Sequence, residues 1–143
     1  MTEKTVFWTS GTTQTIPADF ETAGPWTMHV IGAGGSPASG ASNRGGGAGG
    51  AYAAITQANL TLAAGQVVNT YIPGATSAGS AGGDAWMNTS FNIAPNSTAF
   101  GVLARGGGTT SNRFASIAPP ASSSGGGAKF GGGNGGGGHT GPD

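Results

Sequence analysis

Trp26-Thr27-Met28-His29-Val30-Ile31-Gly32-Ala33-Gly34-Gly35 joins the two textures of this chain. Trp26, Met28 and Val30 alternate with Thr27 and His29, the two-residue period of a strand with one buried face. The strand then runs into glycine, which offers no side chain to bury and loses the most backbone entropy on folding. A chain that makes this change predicts an all-β domain whose strands are separated by glycine-rich loops.

The same reading extends outward. Tyr52-Ala53-Ala54-Ile55-Thr56, Thr5-Val6-Phe7-Trp8-Thr9 and Phe100-Gly101-Val102-Leu103-Ala104 are further strand candidates. Leu60-Thr61-Leu62 alternates, and Gln66-Val67-Val68-Asn69-Thr70-Tyr71-Ile72 is rich in β-formers before it stops at Pro73-Gly74. Ala63-Ala64-Gly65-Gln66 between these two reads as a hairpin turn. No segment sustains a 3.6-residue apolar pattern. The fold class expected is all-β, a small β-sandwich or barrel-like domain of six to eight short strands with long glycine-rich loops.

Glycine supplies 31 of the 143 residues, nine of them at positions 32–50 and eleven at 125–141. Pro119-Pro120 marks a boundary, giving a β-rich domain over residues 1–118 and a glycine-rich C-terminal segment over 119–143. That segment reads either as a slack tether or as an ordered backbone lattice held by neighbouring chains. It has no Gly-X-Y period, which excludes collagen. Leu, Ile, Val and Phe together number twenty, under the roughly one-fifth of the chain below which disorder becomes an option. Five basic and five acidic residues cancel, so no net charge keeps the chain expanded. A surface this poor in charge resists association weakly, and a homo-oligomer or a place in a larger assembly is expected.

Composition also excludes several functions. The chain has no cysteine, so neither disulfides nor a thiolate metal site is available. No apolar run approaches the roughly 20 residues of a membrane-spanning helix, and no signal-peptide pattern opens the chain. Five scattered basic residues make no nucleic-acid footprint. The sequons at Asn59, Asn88 and Asn96 read as polar turns.

Local motifs give no chemistry. Val30-Ile31-Gly32-Ala33-Gly34-Gly35-Ser36 resembles the entry to a dinucleotide site, but Pro37 and further glycines replace the required helix, and no acidic residue lies near position 50. Gly45-Gly46-Gly47-Ala48-Gly49-Gly50 fits GxGxxG as any dense glycine run does. Lys129 is followed by Phe130, so there is no P-loop, and no G-x-S-x-G elbow is present. His29 and His139 are the only imidazoles; His29 reads as a polar-face strand residue. Asp19 and Glu21 read as solvated loop carboxylates, not the opposed pair of a glycosidase. Catalytic residues, metal ligands and cofactors are therefore expected to be none. Trp26 reads as core and Trp8 as a staple for the N-terminus. Trp86, between Gly82-Gly83-Asp84-Ala85 and Met87-Asn88, is the one candidate receptor-binding residue. An aromatic among polar loop residues can stack on a sugar or a partner side chain, and core packing is the alternative for it.

Several segments in order carry a resemblance. They are Thr15-Ile16-Pro17-Ala18, the Trp26–Gly35 stretch, Arg44-Gly45-Gly46-Gly47-Ala48-Gly49-Gly50-Ala51-Tyr52, Leu60-Thr61-Leu62-Ala63-Ala64-Gly65-Gln66, Ile72-Pro73-Gly74, Gly82-Gly83-Asp84-Ala85 and Leu103-Ala104-Arg105-Gly106-Gly107-Gly108. The succession, over about residues 13–141, resembles the glycine-rich domain of bacteriophage tail-fibre, tail-tip and other virion proteins, and of some bacterial surface proteins. The resemblance implies a β-rich domain with glycine-rich loops. In some phage adhesins it also implies packed polyglycine-II helices that display variable loops to a host receptor. The function it implies is that of a non-enzymatic virion component in a tail fibre or tail tip, bearing on host attachment. The expected partners are other virion proteins and a host cell-surface receptor. Neither nucleic acid nor membrane insertion is expected. Homo-oligomerisation, as a trimer, follows from the resemblance to fibre proteins. The expected location is the virion, after synthesis in the bacterial cytoplasm. Two alternatives remain open at this level: a capsid or tail decoration protein binding only other virion subunits, and a wall-associated glycine-rich structural protein of the bacterium.

Overall fold

A computed structural model describes residues 3–37 and 46–109, and the backbone of 129–130. Seven strands follow in chain order: β1 (Thr13–Thr15), β2 (Thr27–Ile31), β3 (Tyr52–Thr56), β4 (Val67–Tyr71), β5 (Ala85–Asn88), β6 (Gly101–Ala104) and β7 (Lys129–Phe130). No helix occurs among the described residues. All pairings are antiparallel, in a four-stranded sheet of order β1-β4-β5-β6 and a three-stranded sheet of order β2-β3-β7.

The two sheets share one core, filled by Ile55 and Ala53 from β3 and by Val68, Met87, Val102 and Ala104 from the larger sheet. Alternation decides which side chains enter it. Met28 and Val30 pack against the core while Thr27, His29 and Ile31 are exposed. Val68 and Thr70 point in while Val67 and Tyr71 point out. Ile16, Leu60 and Leu62 complete the cluster from outside the strands, and Trp8, Phe20 and Trp26 pack on its margin. Phe20 and Trp26 meet at 5.8 Å between ring centroids. Large apolar residues are scarce in this chain, so aromatic rings at the margin extend what the small interior can bury.

The structure corrects four local expectations. No strand forms at positions 5–9; that segment is held instead by Trp8 against the core and by Lys4, which bonds Asp19 at 2.7 Å. β-formers without a neighbouring strand have no ladder to join. Positions 60–62 are not a strand either, although Leu60 and Leu62 are buried and Thr61 is exposed as alternation requires. The turn at Gly65, in the left-handed region at φ 74°, therefore closes no hairpin between those segments. β1 takes the place beside β4, with Gly65 N–H donating to Ile16 O at 3.0 Å and Ile16 N–H to Gln66 O at 2.8 Å. Finally, Ala85-Trp86-Met87-Asn88, expected as part of a loop, is the interior strand β5.

Four strands continue into glycine segments with a hydrogen-bond pattern of their own. Residues 32–37 extend β2, 46–51 lead into β3, 79–84 lead into β5, and 105–109 extend β6. Gly32 and Gly35 donate to Ala51 O and Ala48 O in the second segment, at 2.9 and 2.8 Å. Their neighbours Ala33 and Ser36 donate to Gly83 O and Ser80 O in the third, at 3.0 and 3.1 Å. Ala48 and Ala51 donate to Gly108 O and Arg105 O in the fourth, and Gly107 returns a bond to Ala33 O at 2.8 Å. A β-ladder repeats its bonds to one neighbour every two residues; here the repeat is three, with successive amides aimed at different neighbours. That is the repeat of an extended threefold helix without internal bonds. The first and fourth segments each bond to all the others. Among the described residues no backbone bond joins the second to the third, so the four make a rhombus in cross-section.

Glycine is required by this spacing. A Cβ at Gly32, Gly35, Gly47, Gly50, Gly82, Gly106 or Gly107 would sit within 3.0 Å of a carbonyl on an adjacent segment. The Cα–H groups are thus directed at neighbouring oxygens, the geometry of weak C–H···O contacts. The chain therefore changes its means of cohesion at the strand ends, from side chains packed between sheets to backbones packed against each other. The boundary expected at 118/119 and the possible polyglycine-II character of 119–143 lie outside the described residues, except that β7 pairs with β3.

Candidate binding face

Trp86 lies in the middle of the four-stranded sheet, on its outer face. β5 sends Ala85 and Met87 inward, which turns Trp86 to the opposite side. Its cross-strand partners are Tyr71 on β4 and Leu103 on β6. Trp86 and Tyr71 stack with centroids 6.1 Å apart and 19° between planes. Leu103 is buried at 7 % exposure, Trp86 is half-buried, and Tyr71 stays 48 % exposed. The row therefore opens to solvent at its Tyr71 end.

One step further along both strands, toward the glycine bundle, Arg105 and Asp84 form an ion pair at 2.7 Å. The other Asp84 oxygen accepts the Gly106 N–H at 2.9 Å. The carboxylate thus fixes the point where β5 and β6 give way to glycine segments. Its charge is neutralised by the guanidinium beside it.

Beyond Tyr71 the chain runs along the first glycine segment and turns at Ala78-Gly79, where Ser80 N–H donates to Ser77 O at 3.0 Å. Thr76 Oγ1 donates to Gly34 O at 2.7 Å, Ser36 Oγ donates to Ser77 O, and Gly79 N–H donates to Pro37 O at 2.8 Å. The resulting open groove has a volume of about 290 Å³ and is lined by Tyr71, Pro73, Thr76, Ser77, Ser80 and Gly83, among others. A Cβ at Gly83 would press on Pro73 Cβ at 2.7 Å and approach the Tyr71 ring at 3.7 Å, so glycine leaves the space beside the ring open. No lining residue is charged. The hydroxyls of Tyr71, Ser77 and Ser80 make no hydrogen bond within the described residues.

The other residues singled out in the sequence lie apart from this face. His29 is on the outer face of the smaller sheet, where Nδ1 meets the Tyr52 hydroxyl at 2.7 Å. Asp19 lies in the segment between β1 and β2, and the Lys4 ammonium bonded to it holds its carboxyl below the usual carboxylate range. Among the described residues no three His, Cys, Asp or Glu side chains converge as a metal site. His139 lies outside the described residues. The sequence singles out Trp86 but as a loop residue, and it does not single out Tyr71, Ser77 or Ser80. The outward phase of Tyr71 was available from the alternation of β4; the groove depends on how a loop folds against glycine, which no local pattern encodes.

No known protein family, curated protein or solved structure matches this chain.

Proposed function

We propose that this chain is a non-enzymatic structural component of a bacteriophage virion, placed in a tail fibre or tail tip and bearing on host attachment. The observation that carries the reading is the four-segment glycine bundle continuing both sheets. Its three-residue hydrogen-bond repeat supports a polyglycine-II reading of these segments, a feature that the resemblance implies for some phage adhesins. Such a bundle is stiff because each segment is bonded to several others, and it presents almost no side chains. It projects from the β-domain and braces the loop that forms the groove. A scaffold of this kind suits attachment, which needs a binding face held rigidly away from the particle. The test is competition. Excess purified chain should slow adsorption of the virions that carry it, and labelled antibody should mark the tail in micrographs. Adsorption unaffected by saturating chain, or labelling confined to host cells, overturns the proposal.

A decoration protein is the second reading, and one observation favours it. Phe91, Ile93 and Phe100 are exposed at the end of the larger sheet remote from the bundle, with the two phenylalanine rings edge-to-face at 6.3 Å. Exposed apolar residues grouped in this way mark contacts with other proteins. Antibody labelling of the capsid shell instead of the tail would select this reading.

A further inference from the structure

We propose that the groove between Tyr71 and the 73–83 loop binds a neutral saccharide. The inference rests on the attachment reading above and assigns its ligand class. Three features converge. The exposed ring of Tyr71, stacked on Trp86, together with Pro73, gives one apolar wall. Pyranose rings carry a face of C–H groups that packs on such a wall, where the edges of the sugar stay polar. The lining also includes Thr76, Ser77 and Ser80, and the hydroxyls of Ser77, Ser80 and Tyr71 are engaged by no described residue. A hydroxyl both donates and accepts, so it matches sugar hydroxyls in either orientation. The third feature is the absence of charge. The ion pair one step along the strands from Trp86, Asp84–Arg105, is mutually satisfied at 2.7 Å, and no residue lining the groove carries a charge to recruit an acidic or basic ligand. A peptide is served less well. Extended peptides are captured by adding to a free sheet edge, yet β4 and β5 beside the groove are both interior strands.

The experiment is titration of the isotopically labelled full chain, followed by amide and indole NMR signals. Cellotetraose, maltotetraose and chitotetraose are the saccharide probes, and a proline-rich decapeptide is the peptide probe. At least one saccharide should give saturable shifts confined to the signals of Tyr71, Thr76, Ser77, Ser80, Gly83 and the Trp86 indole. Tyr71→Ala should weaken that binding by about tenfold or more, the worth of one stacked ring. The double variant Ser77→Ala/Ser80→Ala should weaken it by at least about fivefold at an unchanged melting temperature, as expected for lost surface hydroxyls. Still signals with every saccharide, shifts centred elsewhere, or shifts with the peptide alone overturn the proposal. Parallel adsorption assays separate the two claims. Saccharide binding with adsorption indifferent to added chain retains the groove and removes the attachment reading. Adsorption that the chain inhibits, with the saccharide signals still, does the reverse.

Discussion

At the scale of single residues, the glycines are not equivalent, and the structure sorts them. Gly82 faces Ala33 O and Gly106 faces Gly82 O, both too close for a Cβ, and both oxygens belong to backbone. A methyl group there cannot be relieved by rotating a side chain; a whole segment must move. Gly74 has no heavy atom within 4 Å of its would-be Cβ and no left-handed φ. Gly82→Ala and Gly106→Ala should each therefore cost about 3 kcal/mol, at the upper end of overpacking effects. Gly74→Ala should be neutral or stabilising by up to about 0.5 kcal/mol, because it narrows the unfolded ensemble without strain. Urea denaturation of the three variants checks this, and equal losses at all three positions would refute close packing as the reason for glycine. The sequence held part of this signal. Gly32 and Gly35, and Gly47 and Gly50, are each three apart, the repeat of the bundle. In runs as dense as 45–50, a spacing of three cannot be told from chance.

At the scale of elements, two kinds of secondary structure share one chain, and hydrogen exchange distinguishes them from loops. The amides of Gly32, Gly35, Ala48, Ala51, Gly82 and Gly107 are all bonded to backbone carbonyls of other segments at 2.8–3.0 Å, the ordinary amide range. Opening any of them means separating several segments together. These amides should therefore exchange about as slowly as those of β4 and β5, although their residues read as glycine-rich loops between strands. Exchange near unfolded-chain rates at these six positions would show that the bundle does not persist in solution. The strands themselves were unevenly legible. β2, β3, β4 and β6 follow from alternation and β-branched or apolar residues at successive inward positions. β1 was hidden because Thr13-Gln14-Thr15 has no apolar residue to set a phase; its place beside β4 is set by Ile16 entering the core. β5 was hidden by Gly82-Gly83-Asp84 before it and by Asn88 within it. Asn88 is in fact buried, its Oδ1 accepting from Ser90 and Phe91 N–H and its Nδ2 donating to Ile93 O. A turn-forming residue thus ends the strand from inside.

At the scale of the whole molecule, low charge sets the terms of association. The chain has zero formal net charge, and both ion pairs between described residues, Lys4–Asp19 and Arg105–Asp84, join partly exposed side chains. Exposed pairs of this kind contribute little and are screened by salt. Among the described residues the surface also offers a partner apolar and hydroxylic groups, among them Phe91, Ile93 and Phe100 at one end of the larger sheet and the groove beside Tyr71 at the other. Contacts built from such groups do not depend on screening, and apolar ones strengthen in salts excluded from protein surfaces. The homo-oligomer expected from this composition, followed by sedimentation, should therefore persist unchanged as sodium chloride is raised from about 0.05 to 0.5 M, a range over which the Debye length falls from about 14 to 4 Å. Sodium sulfate at equal ionic strength should shift it toward the larger species. On the proposed role in attachment, the adsorption rate of particles bearing the chain should vary by less than about twofold over the same chloride range, since steering by charge is what such salt suppresses. A fall of about tenfold or more would mean that attachment runs through charged groups, and would move the contact away from the groove and its uncharged lining.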